Sequence, residues 1–288
     1  MPFRCGGELL GLYVRICPLI HIWMHVRFTP PWIRKDLNAA LKKGLSGAVQ
    51  ELLLALMMTP DRFDSHRLRQ SMEGVGTDEE ALMEVLCTRS PAQLRDITIA
   101  YREMYNRYLE NDLISETSKE FTKLVLAILK KEERNASGKI DFELIDQDVK
   151  ELSEAVTGKK ANPEPWTQVL TSRSSDHLKR VLSRLEDLKC EPVDKTIQSH
   201  FSGDLRLGLR ILAQTIQNKP LFLAQRLHSC MKKNAVVRGI MVGQSEEDLL
   251  WVRVEFLKLT NLSLYSTIQK DFKGELQLAL LALCRSED

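Results

Sequence analysis

One helix-like phrase occurs four times along this chain, and this repetition constrains the fold more than any other feature. The copies read SGAVQELLLALM, SKEFTKLVLAIL, SGDLRLGLRILA and KGELQLALLALC, and they begin at Ser46, Ser118, Ser202 and Lys273. Successive copies lie 72, 84 and 71 residues apart. Repetition at a nearly fixed period is typical of an array built from one structural unit, so the sequence predicts about four copies of a helical unit of roughly 70 residues. The first copy is incomplete.

Residues 62–131 form the best-preserved copy, and their pattern predicts five helices. Leu82, Val85 and Leu86 continue an apolar stripe with the helical period. Thr77 and Glu80 have capping-box spacing, which predicts that Thr77 caps the second helix. Pro91 predicts the first turn of a third helix. No stretch alternates apolar and polar residues as a half-buried strand does, and Asn-Gly and Asp-Gly turns are absent. The predicted fold class is therefore all-α.

A second phrase recurs between the predicted helices. Thr88-Arg89-Ser90 has counterparts in Ser172-Arg173-Ser174 and Gly243-Gln244-Ser245.

Large apolar residues in the later copies lie on helical stripes, so we expect them in the core. They are Trp166, Trp251 and Phe256.

Composition excludes several classes of protein. Charged residues make up 28% of the chain, apolar residues 43%, and the net charge is +2, which fits a globular protein and not a dedicated nucleic-acid binder. The six cysteines are Cys5, Cys17, Cys87, Cys190, Cys230 and Cys284. No pair has CxxC spacing, so we predict reduced thiols in a cytosolic protein. The sequence has no nucleophile motif, phosphate loop or dinucleotide fingerprint, so no enzyme activity is predicted.

Residues 1–32 differ from the rest of the chain. The stretch from Leu9 to Val26 is apolar but contains Arg15, Pro18 and His21, whereas a membrane-spanning helix needs about 20 mostly apolar residues. An atypical N-terminal segment is favoured over a membrane anchor. This segment replaces the first helices of the first copy, so the apolar face at Val49 and the leucines that follow it is expected to lack cover unless residues 9–28 provide it.

A glycine-rich loop in the second copy predicts a calcium site. Calcium takes six to eight oxygen ligands, and backbone carbonyls together with a bidentate carboxylate suit it. The loop 72–77 can direct the carbonyl groups of Met72, Gly74 and Gly76 toward one point, because its glycines allow special backbone angles. Glu116, 40 residues after Gly76, can supply the carboxylate. A single carboxylate predicts weak affinity, toward the dissociation constants of about 10⁻⁴–10⁻³ M at the weak end of calcium sites.

Together the five-helix unit, the Gly-x-Gly-Thr loop, the acidic residue about 40 positions later and the Thr-Arg-Ser phrase resemble an annexin repeat. The resemblance covers roughly residues 33–288. It implies a curved all-helical disc that docks on acidic phospholipid through calcium, at the cytosolic face of plasma or vesicle membranes, with no nucleic-acid partner. The implied divisions are an atypical segment 1–32, a partial repeat 33–59, full repeats 61–132, 144–216 and 218–288, and a linker 133–143.

The other copies depart from the annexin pattern at the corresponding positions. Gly44 occupies the acidic position of the first copy, and His200 occupies it in the third, whose loop lacks the second glycine and the threonine. In the fourth copy Asp271 is retained, but the loop is shortened to Met231-Lys232-Lys233-Asn234. We therefore expect one intact calcium site, formed by Met72, Gly74, Gly76 and Glu116, and weakened phosphatidylserine-type membrane binding. The alternative is a calcium-independent, membrane-associated scaffold or interaction protein that kept the fold.

Overall fold

Helices account for all the regular secondary structure in the described part of the chain. The computed structural model describes residues 31–132, 141–158 and 160–284, and within these it contains sixteen helical segments and no strand. They are α1 (Pro31–Gly44), α2 (Gly47–Leu56), α3 (Pro60–Ser71), α4 (Glu79–Thr88), α5 (Pro91–Tyr105), α6 (Leu109–Glu116), α7 (Lys119–Leu129), α8 (Phe142–Glu154), α9 (Pro163–Ser172), α10 (Ser175–Lys189), α11 (Val193–His200), α12 (Gly203–Cys230), α13 (Asn234–Gly243), α14 (Leu249–Thr260), α15 (Leu264–Asp271) and α16 (Gly274–Cys284). The segment Gly203–Cys230 is broken by a kink at Asn218, whose φ of −155° and ψ of 92° are not helical. The predicted all-α class is confirmed.

Each copy of the repeated phrase opens a helix in the same way. The first helical residues are Gly47, Lys119, Gly203 and Gly274, and their φ angles are 64°, 56°, 61° and 63°. Glycine adopts this left-handed region without steric cost, whereas a side chain there is strained. The positive φ gives a physical reason for the glycine that recurs at this position. The second copy has Lys119 there instead, and this residue carries the strain.

The repeated arginine phrase also has a structural role. Arg89 forms a buried ion pair with Asp64, with Nε–Oδ2 and Nη2–Oδ1 distances of 2.5 and 3.2 Å. Arg173 bonds both carboxylate oxygens of Asp148 at 2.8 Å. In each case the arginine lies 25 residues after its aspartate. The ion pair therefore joins the first helix of a copy to the end of its second helix.

Contacts divide the chain into two compact units, and within the described residues the first contains 64–222. In this unit α7 packs against α4 and α9, and α8 packs against α10. Trp166 is fully buried on α9 and donates its indole N–H to the carbonyl of Leu152 at 3.2 Å, so its predicted core position is confirmed. Asp148 on α8 is only 1% exposed, and its ion pair with Arg173 compensates the buried charge.

The second unit contains residues 31–63 and 223–284 of the described chain. Here α2 packs against α1, α13 and α16, which buries Val49, Leu52, Leu53 and Leu56. The prediction that this apolar face lacks cover is wrong, since helices distant in sequence pack on it. The suggested cover by residues 9–28 lies outside the described residues.

The fourth-copy helix α14 corrects one core prediction. Phe256 is fully buried as expected, but Trp251 is 59% exposed, so its prediction as a core residue is wrong. Val252, the next residue, is fully buried and takes the inward position on this helix.

None of the helices in the described ranges combines the length and apolar character needed to cross a bilayer.

Candidate functional site

The loop between α3 and α4 takes its shape from two glycines in left-handed backbone conformations. The φ angles of Gly74 and Gly76 are 107° and 86°. A Cβ atom added at either position would meet no atom within 4 Å, so backbone conformation, not lack of space, requires glycine there. The loop closes through the amide of Asp78, which bonds to the carbonyl of Ser71 at 2.8 Å.

Asp78, not Thr77, caps the following helix. Its side chain accepts a hydrogen bond from the amide of Ala81 at 2.9 Å. The predicted capping box of Thr77 and Glu80 is therefore wrong by one residue. The difference matters because it leaves the Thr77 hydroxyl available for another contact.

That contact joins the two halves of the predicted site. The Thr77 hydroxyl donates to the backbone carbonyl of Glu116 at 3.1 Å, and Glu116 is the last residue of α6. The structure therefore places the glycine loop directly beside the acidic residue that sequence spacing paired with it. No sequence pattern indicates this hydrogen bond, since the capping pattern assigns the Thr77 hydroxyl to the helix amides.

The predicted ligand atoms are available for a cation. Within the described residues, no backbone amide bonds to the carbonyl oxygens of Met72, Gly74 or Gly76. Glu116 is exposed, and its carboxylate forms no ion pair or hydrogen bond with the described part of the chain. Three backbone carbonyls and one carboxylate make an all-oxygen donor set, which fits a hard cation such as calcium.

A second set of contacts ties the start of the loop to α6, and sequence analysis did not identify it. Arg69 bonds Glu73 at 2.6 Å and reaches Asp112 at 3.3 Å. Asp112 also accepts from Tyr101 at 2.6 Å and from the Arg107 guanidinium at 2.6–3.0 Å. The bonds from Arg107, against the opposing effect of burial and with help from Tyr101, lower the pKa of Asp112. Its ionised carboxylate thus anchors α6 relative to the loop.

The tip of the loop is apolar and fully exposed. Val75 lies between the two glycines and contacts little of the protein. A fully exposed branched apolar residue beside the predicted cation site is suited to a surface that is itself partly apolar. The described residues contain no group of three or more His, Cys, Asp and Glu side chains placed to hold a metal, so a cation bound here would depend on the backbone carbonyls.

Corresponding positions in the other copies carry different groups. In the third copy the amide of Asn162 bonds to the carbonyl of Ala155 at 2.8 Å, as Asp78 does to Ser71. His200 occupies the place of Glu116, and its ring nitrogen lies 2.8 Å from the Thr196 carbonyl of its own helix. Gly44 ends α1 in the first copy and offers no side chain.

The architecture is similar to that of known proteins. An annexin family model matches residues 63–128 and 222–283. Annexin III is 35% identical over 88% of this chain and 80% of its own, with a TM-score of 0.83. A mutant of annexin A8 is 31% identical over 86% and 79%, with a TM-score of 0.81. Chicken annexin V in complex with Zn²⁺ is 33% identical over 87% and 80%, with a TM-score of 0.80. The helical repeats and the extent of this identity show that the chain belongs to the annexin family.

Proposed function

We propose that this protein binds acidic phospholipid membranes in a calcium-dependent manner, through one site in its second repeat. Calcium would be held by the carbonyl groups of Met72, Gly74 and Gly76 and by the Glu116 carboxylate. The observation that carries the proposal is the hydrogen bond from Thr77 to Glu116, which holds the loop and the carboxylate donor side by side.

The proposed mechanism follows from the chemistry of this donor set. Four protein groups leave part of the coordination shell of calcium open, since the ion takes six to eight oxygens. Water or an oxygen of a phosphatidylserine-type headgroup completes the shell, so the ion bridges protein and lipid. Val75 stands at the exposed tip and reaches the apolar side of the interface. We place the protein on the cytosolic face of plasma or vesicle membranes, and propose no enzymatic activity.

A single site predicts weak membrane binding. Several weak bridges on one rigid face strengthen one another, by about 10²–10⁴ for each added site when the geometry permits. Here the first, third and fourth repeats have lost the glycine loop or the acidic residue. We further propose that the chain is one of the divergent annexins, because SGKIDFELIDQDVKEL and the terminal LLALCRSED resemble the ninth vertebrate annexin, pemphaxin.

Co-sedimentation with phosphatidylserine vesicles tests the calcium site. Glu116→Gln removes the carboxylate charge and is expected to abolish calcium-dependent sedimentation. Glu103→Gln, which makes the same charge change at an exposed position of α5, serves as the matched control and should sediment like the unmodified protein. Calcium-dependent sedimentation that survives Glu116→Gln would contradict the proposed site.

A second candidate function is a calcium-independent scaffold, proposed because of the losses at the third and fourth sites. His200 replaces the acidic residue in one, and Lys232 and Lys233 replace the glycine turn in the other. Vesicle or partner binding that persists unchanged in a calcium chelator would favour this function over the first.

A further inference from the structure

A cavity in the fourth repeat occupies the position that corresponds to the calcium loop of the second repeat. It has a volume of about 800 Å³ and lies between the Met231–Lys233 turn and the end of α15. The turn closes through the amide of Lys233, which bonds to the carbonyl of Cys230 at 2.8 Å. In the second repeat the amide of Asp78 bonds to the carbonyl of Ser71, also at 2.8 Å, and closes a longer loop. The two turns therefore occupy corresponding places between helices, but the fourth-repeat turn is shorter and has lost its glycines.

The charges around the two turns are opposite. The second repeat carries Glu73 and Asp78 at the two ends of the loop and Glu116 at the end of α6. The fourth-repeat cavity is lined instead by Lys232, Lys233 and Lys270, with Asp271 as its acidic member. Three carboxylates are thus replaced by three lysines and one carboxylate. An excess of positive charge repels calcium and attracts anions.

The three lysines of this cavity are exposed. Within the described residues, none of them forms an ion pair with a carboxylate. Their ammonium groups therefore keep their hydrogen-bond donors available for a ligand. A lysine binds phosphate as a flexible point charge with three donors.

The start of α13 adds to this preference. The N-cap residue Lys233 makes no side-chain capping bond, and the first turn contains no acidic residue. The first amides of a helix have no partner within it, and the helix dipole favours negative charge at that end. By contrast, α4 has the Asp78 cap and acidic residues in its first turn. The α13 N-terminus therefore follows directly on Lys233, which lines the cavity, and adds positive potential beside the lysines.

We propose that this fourth-repeat cavity binds a phosphate-bearing anion directly, with Lys232, Lys233 and Lys270 in place of a calcium ion. The phosphate belongs either to a membrane lipid headgroup or to a small soluble phosphate, and both present the same chemistry to the lysines. The exposed Leu259 and Leu262 also line the cavity, and they can contact the carbon atoms attached to the phosphate. The site does not depend on the second-repeat calcium site.

Vesicle binding in the presence of a calcium chelator tests the lipid source. Vesicles of phosphatidylcholine with phosphatidylserine are compared with vesicles of phosphatidylcholine alone, and only the former should bind. Replacing Lys232, Lys233 and Lys270 together by Gln should weaken binding by about a hundredfold, since each lysine near an anionic surface contributes roughly fivefold. Higher salt should also weaken binding of the unmodified protein.

The matched control replaces three exposed lysines of the same unit that lie outside the cavity. Lys42→Gln, Lys43→Gln and Lys258→Gln together make the same change in net charge and should retain most of the binding. Titration with inorganic pyrophosphate, followed by calorimetry in chelator, tests the soluble source. Heat of binding that the cavity variant loses and the control variant keeps would identify a soluble phosphate as ligand.

Two results would overturn the proposal. One is the absence of binding to both the vesicles and pyrophosphate in chelator. The other is equal binding by the cavity variant and the control variant, since this would reduce the effect to net charge. Because calcium is absent throughout, failure of this site and failure of the second-repeat calcium site are observed separately.

Discussion

Breaking the ion pair between the buried Asp148 and the partly exposed Arg173 is expected to destabilise the protein strongly. Asp148 is 1% exposed and accepts two hydrogen bonds from Arg173 at 2.8 Å. Arg173→Gln leaves this carboxylate buried with His177, which lies 2.7 Å from it, as its remaining partner. Removing one partner of a buried pair costs about 3–5 kcal/mol. Since His177 remains, we expect the low end, a loss of about 3 kcal/mol in the free energy of unfolding.

The fourth repeat shows which two residues can replace the ion pair, and these residues define a double variant. Leu223 precedes Met231 by eight residues, as Asp64 precedes Met72, and the arginine position is taken by the buried Gln244. The fourth repeat has therefore replaced both partners of the ion pair. Asp148→Leu combined with Arg173→Gln should recover most of the stability that Arg173→Gln loses, because no uncompensated charge stays buried.

Urea denaturation followed by circular dichroism measures the free energy of unfolding of each variant. The unmodified protein, the two single variants and the double variant form a thermodynamic cycle. The melting temperature of Arg173→Gln should fall by roughly 6–12 °C. A loss below about 1 kcal/mol for Arg173→Gln would contradict this prediction, as would a double variant whose loss equals the sum of the two single losses.

Four further predictions concern single residues. Lys119→Gly should stabilise the protein by about 0.5–1 kcal/mol in urea denaturation, because it relieves a left-handed residue; destabilisation would show that Lys119 is not strained. Gly76→Ala should cost about 1 kcal/mol and weaken calcium binding in calorimetry, since its φ is positive; unchanged binding would contradict the role of the loop shape. The folded-state pKa of Asp112 is lowered by its arginine bonds, so its contribution to stability is present above the unfolded pKa of about 3.9 and is lost as pH falls through the folded pKa; Asp112→Asn should flatten stability against pH in this acid range, and an unchanged slope would refute it. Burial raises the pKa of the Cys87 thiol, so iodoacetamide should label the exposed Cys190 first, and the opposite order by mass spectrometry would contradict this.

Sequence reasoning succeeded where a feature depends on local pattern. The period of the phrase beginning at Ser46 identified the helical array, and Pro91 marked the start of a helix that the structure confirms. Glycine spacing and the distance to Glu116 predicted that the loop and this residue lie together, and the hydrogen bond from Thr77 to Glu116 confirms that they are adjacent. Each copy of a repeated unit brings the same elements together.

Features that depend on tertiary contact could not be predicted. The capping residue can shift by one position, because Asp78 competes with Thr77 for the same amides. The inward direction of α14 is decided by packing, which exposes Trp251 and buries Phe256. The contact of Arg69 with Asp112 spans 43 residues, and no local pattern indicates it. The cover of α2 by α13 and α16 is likewise a contact between distant segments.

We propose that the second repeat holds a calcium site made of three carbonyl groups and Glu116. Calorimetric titration of the unmodified protein with calcium, beside Glu116→Gln, tests it most directly. We predict one weak site, with a dissociation constant of about 10⁻⁴–10⁻³ M, that disappears in Glu116→Gln while the helical circular dichroism spectrum is unchanged. Calcium binding of equal strength in both proteins, or none in the unmodified protein, would contradict the account.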